Sequence, residues 1–145
     1  MNDKEKKYLL LLRVLLISAA VAWGVSLAGL VVPWSMVEKE LAGMGATLPM
    51  DDIMVQYWLK MAAAVYTLMG CFFIIVAVWP LKYRQVIKLI GLMHVVLSVV
   101  FLLNGLILGV DGIPLYVDVS FCLFVGVGIL VLSRSLRDMT KQEII

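Results

Sequence analysis

Charged residues, histidine and cysteine are scarce in this 145-residue chain. Only 15% of its residues are charged, with a net charge of +2, whereas about a quarter of a soluble domain is charged. This balance offers no basic surface to nucleic acid, so no nucleic-acid partner is expected. The single histidine, His94, and the two cysteines, Cys71 and Cys122, exclude a disulfide framework and provide no metal-ligand spacing. No metal and no cofactor are therefore expected.

Patterns for catalysis are missing as well. The chain has no Ser–His–Asp set that converges, no paired-histidine motif and no glycine-rich phosphate loop. The sequence therefore lacks the residue sets that the common enzyme mechanisms require. No Asp or Glu lies inside an apolar run when Asp118 is counted at the rim, which disfavours a proton- or cation-coupled exporter. The expectation is a protein that is not an enzyme and has no catalytic residue.

Apolar residues dominate what is present. They make up 63% of the chain and the mean hydropathy is +1.06, more apolar surface than a small water-soluble core can hide. A membrane-spanning helix needs about 20 mostly apolar residues, and the runs that qualify are 8–32, 53–79, 86–109 and 115–134. Helices satisfy their own backbone in lipid, and the later connections are short. We therefore predict one all-α domain (1–145), a four-helix transmembrane bundle of up-down-up-down order.

The positions of lysine and arginine predict the orientation of these spans. Basic residues cluster before the first span, in the connection "LKYRQVIK" (81–88) and after the fourth span. In the other two connections the only basic residue is Lys39, and the remaining charged residues are acidic. Both termini are then cytoplasmic. The first run starts like a signal peptide, but its length and Arg13 predict an uncleaved helix. The predicted interface anchors are Arg13, on its long stem, and the aromatic residues Trp34, Trp58, Trp79 and Tyr83.

The first outer connection, residues 33–52, is predicted to contain a short helix along the membrane interface. Ser35 and Glu38 have capping-box spacing at its start, and Gly43 is a natural stop. Two roles are open for this helix. It either sets the spacing of two spans, which is the commoner use of short ordered connections, or it covers a binding site as a lid. Asp51 or Asp52 is expected to cap the second span.

Small residues recur on one face of every span. Such faces allow close helix packing in lipid, within one chain or across a homodimer. They are Ala20, Gly24 and Ala28 in the first span, Ala62, Ala63 and Gly70 in the second, Gly91, Ser98 and Gly105 in the third, and Cys122, Gly126 and Gly128 in the fourth.

Polar residues within the spans form the candidate site, because ionisable groups in lipid are rare and costly. Three roles are open for Lys60. Its ammonium reaches the headgroups along its long side chain, pairs with Asp118 or Asp111, or binds an anionic ligand or headgroup. His94 is expected to be a neutral imidazole that is hydrogen-bonded between helices, with a proton-linked or ligand-contacting role as the alternative. Asn104 is expected to bond between helices and can also reach Lys60.

Four stretches resemble a loosely defined set of bacterial four-helix membrane proteins of unknown function. They are "PWSMVEKELAGMGATLP", "YWLKMAAAVYTLMG", "KYRQVIKLIGLMHVV" and "DGIPLYVD", which together cover most of residues 33–118. The resemblance implies that Lys60 and Asp118 hold the set's basic and acidic positions, which favours their pairing. A histidine that members often carry falls on Met69, so His94 departs from the pattern. The resemblance also implies a bacterial cytoplasmic (inner) membrane, and it brings no activity.

These observations predict a non-enzymatic membrane protein, an accessory or scaffolding subunit or a small homo-oligomer. Its partners are then the lipid bilayer and either a second copy or another membrane protein. The alternative is a small transporter or a binder of lipid- or quinone-like ligands, with an intramembrane cavity near Lys60, Asn104 and His94. A cavity at Lys60 or His94 would favour the alternative, and a tightly packed interior would favour the scaffold.

Overall fold

The structure is a computed structural model that describes residues 3–46, 52–110 and 112–142, with side chains described as far as residue 135. Every regular element in these ranges is a helix. In chain order they are α1 (Asp3–Gly24), a 3₁₀ turn (Val25–Leu27), α2 (Ala28–Val31), α3 (Trp34–Gly43), α4 (Ile53–Val78), α5 (Arg84–Leu108) and α6 (Ile113–Gln142).

Four of the described helices are long and apolar enough to cross a membrane. Their ranges are Asp3–Val31, Ile53–Val78, Arg84–Leu108 and Ile113–Ser135. The prediction of an all-helical chain with four candidate spans is thus confirmed. The first helix begins five residues before the predicted start, since Asp3 and Glu5 in its first turn favour the positive helix N-terminus. Helix α5 ends at Leu108 and is capped by Gly109, whose left-handed φ of 66° suits glycine.

The chain divides into two compact units, which are described separately. The terminal unit comprises residues 1–18 and 74–145, and the central unit comprises residues 19–73. In the terminal unit, α5 and α6 run antiparallel, because Gly91 faces Ile129 and Leu130 whereas Gly105 faces Leu115. Between them the hydroxyl of Ser98 donates to the Val119 carbonyl at 3.0 Å. The three small residues predicted at heptad spacing on the third span therefore do face another helix.

Two glycines of α6 point toward different neighbours. A Cβ on Gly126 would lie 2.8 Å from the Gly91 carbonyl oxygen and 2.8 Å from the Val95 amide nitrogen, so the α5 and α6 backbones are in close contact there. A Cβ on Gly128 would instead meet the side chain of Leu15 in α1 at 2.7 Å. The interior around them contains buried Leu12, Leu16, Ile87, Val125 and Ile129. Small residues set how closely the helices approach, and branched residues fill the remaining space.

In the central unit, α1 and α4 meet at small residues. A Cβ on Gly70 would lie 2.8 Å from the Ala20 carbonyl oxygen and from backbone atoms of Gly24. The rings of Trp23 and Tyr66 pack beside this contact, with centroids 5.1 Å apart. The predicted small faces of the first two spans therefore meet. The 3₁₀ turn follows directly after Gly24, and Gly and Ser are weak helix formers that often mark such irregularities.

The connection after α2 contains the predicted short helix, but the predicted capping box is wrong. Helix α3 begins at Trp34, its N-cap position is Pro33, and no side chain caps it. The Pro33 carbonyl accepts the amides of Met36 and Val37 at 3.0 and 3.4 Å, so Ser35 already lies inside the first turn. The cap on α4 is confirmed, because an Asp52 carboxylate oxygen accepts the Met54 amide at 2.7 Å. Asp51 lies outside the described residues.

Candidate functional site

The structure brings two of the predicted site residues together at one end of the α5–α6 pair. Asn104 and Asp118 line a cavity of about 250 Å³. The other lining residues are mostly apolar and include Phe101, Leu108 and Leu115. We call this cavity the hairpin cavity, because it lies where the chain turns from α5 into α6. Asp111, the other acidic candidate, lies outside the described residues.

Helix geometry places both polar groups about one turn from the helix ends. At 1.5 Å per residue, Asn104 is roughly 6 Å from the end of α5 and Asp118 roughly 7.5 Å from the start of α6. Both side chains are exposed. The Asn104 amide group donates to the Val100 carbonyl at 2.8 Å within its own helix, and the predicted interhelical bond stays a prediction. A short polar side chain within a helix can reach the carbonyl four residues back.

His94 lies in the packed interior and does not line the hairpin cavity. It is only 2% exposed, and its Nδ1 is 2.9 Å from the Ile90 carbonyl one turn earlier in α5. A carbonyl oxygen only accepts hydrogen bonds, so Nδ1 carries the proton. This bond lies within α5, and the expected hydrogen bond between helices stays a prediction. The proton-linked alternative stays a prediction.

Lys60 lies on the central unit, in the third turn of α4, and its side chain is exposed. Asp118 belongs to the terminal unit. The predicted Lys60–Asp118 and Lys60–Asp111 pairs, and the contact with Asn104, therefore stay predictions. An exposed ammonium in an apolar helix needs water, a headgroup or a counter-charge, so Lys60 remains a candidate site residue.

Arg13 lies beside the end of α4 within the terminal unit. One guanidinium nitrogen is 3.5 Å from the carbonyl of Val78, the last residue of α4. A cation there suits a helix C-terminus, where carbonyls lack helical partners. Among the predicted aromatic anchors, Trp58 and Trp79 are 61% and 55% exposed, whereas Trp34 and Tyr83 are half-buried.

Sequence reasoning missed two features, a cavity lined by cations at the opposite end of the α5–α6 pair and a buried glutamate on α1. Lys88, Ser133 and Arg134 line a second cavity of about 250 Å³ together with Leu130. Each cation was assigned to a flanking segment, and only the antiparallel register of the two helices shows that they converge. Glu5 is the second feature, because it is only 6% exposed. The spacing of Glu5 from the leucines that follow could have predicted its burial. The buried face of α1 comprises Glu5, Leu9, Leu12 and Leu16, at intervals of three or four residues.

Groups of ligand-type side chains do not form elsewhere in the described ranges. Among the residues searched there, no three His, Cys, Asp or Glu side chains come together to hold a metal ion. Cys71 is exposed and Cys122 is buried, and both are free thiols. Comparison of the chain with known protein families, curated proteins and solved structures finds no match.

Proposed function

We propose that the chain is a non-enzymatic, multi-pass membrane protein that works by assembling with other transmembrane helices, as a small homo-oligomer or as an accessory subunit. One observation supports this most strongly. Three of the buried polar residues, His94, Ser98 and Ser133, are hydrogen-bonded, whereas Lys60, Asn104 and Asp118 are exposed. These buried polar groups have partners within the chain, and the charged candidates Lys60 and Asp118 lie on the exposed surface.

The physical reason is the cost of exposing charge to lipid. A lysine or aspartate at the centre of a spanning helix costs about 2.5–3.5 kcal/mol on insertion scales, and less near the ends. Lys60 lies roughly 10 Å along α4 from its start, a distance that its long side chain partly covers. The short side chain of Asp118 has no such reach. Association that brings Lys60 of one copy to Asp118 of another, or either group to a polar residue of a different protein, offsets this cost.

The proposal includes an orientation. Both termini lie in the cytoplasm of a bacterial cell, the four helices cross the inner membrane in up-down order, and α3 lies at the outer interface. The distribution of Lys and Arg supports this orientation. On α3, Met36, Val37 and Leu41 line an apolar groove of about 370 Å³ that they share with α2, which suits a helix whose other side faces headgroups.

The experiment is a measurement of assembly. The full chain, purified in mild detergent or nanodiscs, is examined by light scattering and native mass spectrometry beside its Lys60→Met and Asp118→Asn variants. Each variant should shift a homo-oligomer toward monomer, or lose a stoichiometric partner, while Lys39→Met, a matched change on α3, leaves assembly intact. The charge swap Lys60→Asp with Asp118→Lys should restore a homo-oligomer.

Two results would count against assembly. The first is a monomeric wild-type chain without a co-purified partner in both detergent and nanodiscs. The second is a set of variants that lose thermal stability but keep the wild-type mass, because that pattern assigns the ion pair to a single chain.

The second candidate function, a small transporter or a binder of lipid- or quinone-like ligands, is favoured by the hairpin cavity. Ligand pockets usually measure about 300–1,000 Å³, and this cavity, at about 250 Å³, is smaller. The exposed charges Lys60 and Asp118 therefore support assembly more directly than the hairpin cavity supports a binder. Asp118→Asn separates the two, since a binder loses its ligand at unchanged oligomeric mass.

A further inference from the structure

A basic cavity lies at the end of the α5–α6 pair that is opposite the hairpin cavity. It measures about 250 Å³ and is lined by Lys88, Leu130, Ser133 and Arg134. Neither the proposed assembly nor the candidate spans explains why two cations from different helices face the same space.

Helix packing sets the position of these cations. Leu130 packs over Gly91, where a Cβ would meet it at 3.0 Å. Lys88 precedes Gly91 by three residues and Arg134 follows Leu130 by four. Because the helices are antiparallel, the two cations reach the same level. Glycine at position 91 lets the helices approach closely enough to share one cavity.

The surroundings of the cavity favour an anion. Both charges are positive, and none of the lining residues whose side chains the structure describes is a carboxylate. Lys88 also lies near the start of α5, where the helix dipole adds positive potential. The Ser133 hydroxyl is buried and donates to the Leu130 carbonyl at 3.0 Å, so its oxygen holds a fixed place in the wall. Two converging cations repel each other unless an anion lies between them.

We propose that the basic cavity binds a phosphate group, namely the headgroup phosphate of an anionic phospholipid. Arginine forms two parallel hydrogen bonds to phosphate oxygens and lysine adds a point charge. Basic pockets between membrane helices bind anionic headgroups in this way. The cavity holds the phosphate while the acyl chains lie along the apolar surface outside it. This inference needs the helices to lie in a membrane, but it does not depend on assembly.

The test uses the purified full chain in detergent, stripped of lipid and titrated with phosphatidylglycerol or phosphatidylcholine under native mass spectrometry. Phosphatidylglycerol should bind, and Lys88→Gln and Arg134→Gln should each weaken it about five-fold, since one basic residue near anionic lipid contributes about that factor. Lys82→Gln is the matched control, because Lys82 is an exposed cation near the same end of α5 that does not line the cavity. Lys88→Arg should retain binding, which separates loss of charge from loss of fold.

A further arm identifies the source of the phosphate. Inorganic phosphate at millimolar concentration should fail to displace phosphatidylglycerol, because it gains nothing from the apolar surface. Displacement would overturn the assignment to a lipid in favour of free phosphate. Equal binding of both lipids would overturn recognition of an anionic headgroup. An equal loss in Lys82→Gln would overturn the site itself and leave only diffuse surface attraction.

Discussion

The contrast between two glycines of α6 gives the sharpest test of the packing. Gly126→Ala and Gly128→Ala add the same methyl group two residues apart in the same helix. At Gly126 the new Cβ would lie 2.8 Å from the Gly91 carbonyl oxygen and from the Val95 amide nitrogen, which are backbone atoms of α5. At Gly128 it would approach the terminal methyl of Leu15 at 2.7 Å. The backbone of α5 cannot move without moving the helix, whereas Leu15 can change rotamer.

The magnitudes follow from two opposing terms. Replacing glycine by alanine within a helix gains about 1 kcal/mol of helix stability in both variants. Overpacking costs about 1–3 kcal/mol and lies near the upper value where backbone atoms meet. Gly126→Ala should therefore destabilise the protein by about 1–2 kcal/mol, and Gly128→Ala should be neutral or stabilising by up to about 1 kcal/mol.

The assay is reversible unfolding in mixed micelles, with SDS as the denaturant and tryptophan fluorescence as the signal. The account requires Gly126→Ala to unfold at a clearly lower SDS fraction than wild type and Gly128→Ala at the same or a higher fraction. Equal shifts of the two variants, or the reverse order, would refute the proposed contact between the α5 and α6 backbones.

Three further predictions use the same unfolding assay. Gly70→Ala should be destabilising by about 1–2 kcal/mol, because its Cβ meets backbone atoms, while Gly24→Ala, whose Cβ meets nothing within 4 Å, should be near neutral; equal effects would contradict the α1–α4 contact. Ser98→Ala removes the bond to the Val119 carbonyl and should cost about 0.6 kcal/mol; an unchanged midpoint would show that this bond is unimportant. Asp52→Ala removes the cap of α4 and should cost about 1 kcal/mol, whereas Asp52→Asn should cost little; equal losses would show that charge matters more than capping.

The fold was predictable from the sequence where one physical rule dominates. Apolar length alone located the four long helices to within a few residues at most ends, because lipid leaves the backbone no alternative to a helix. Heptad spacing of Gly91, Ser98 and Gly105 correctly predicted the face of α5 that meets another helix. These predictions succeeded because small residues in lipid have few uses other than close packing.

The candidate site was less predictable because its geometry depends on register. The Asn104 amide donates to the Val100 carbonyl within α5. Residue spacing alone does not predict whether such an amide bonds to its own helix or to a neighbouring one. Asp118 could be placed near a helix end, but its position beside Asn104 needs the α5–α6 pairing. Lys88 and Arg134 are 46 positions apart in the sequence, and only the antiparallel contact brings them to one cavity. Helix α3 begins after Pro33, two residues earlier than the capping-box spacing of Ser35 and Glu38 predicted. Proline and a capping box both favour a helix start, and here they lie within three residues of each other.

The orientation of the four spans is the claim on which the proposals depend most, and thiol labelling tests it directly. In a chain whose Cys71 and Cys122 are replaced by serine and alanine, single cysteines are introduced at Met44, after α3, and at Lys82, before α5. Both positions are exposed. The account predicts that a membrane-impermeant maleimide labels position 44 in intact cells and position 82 only after permeabilisation. Labelling of position 82 in intact cells, or protection of position 44, would contradict it.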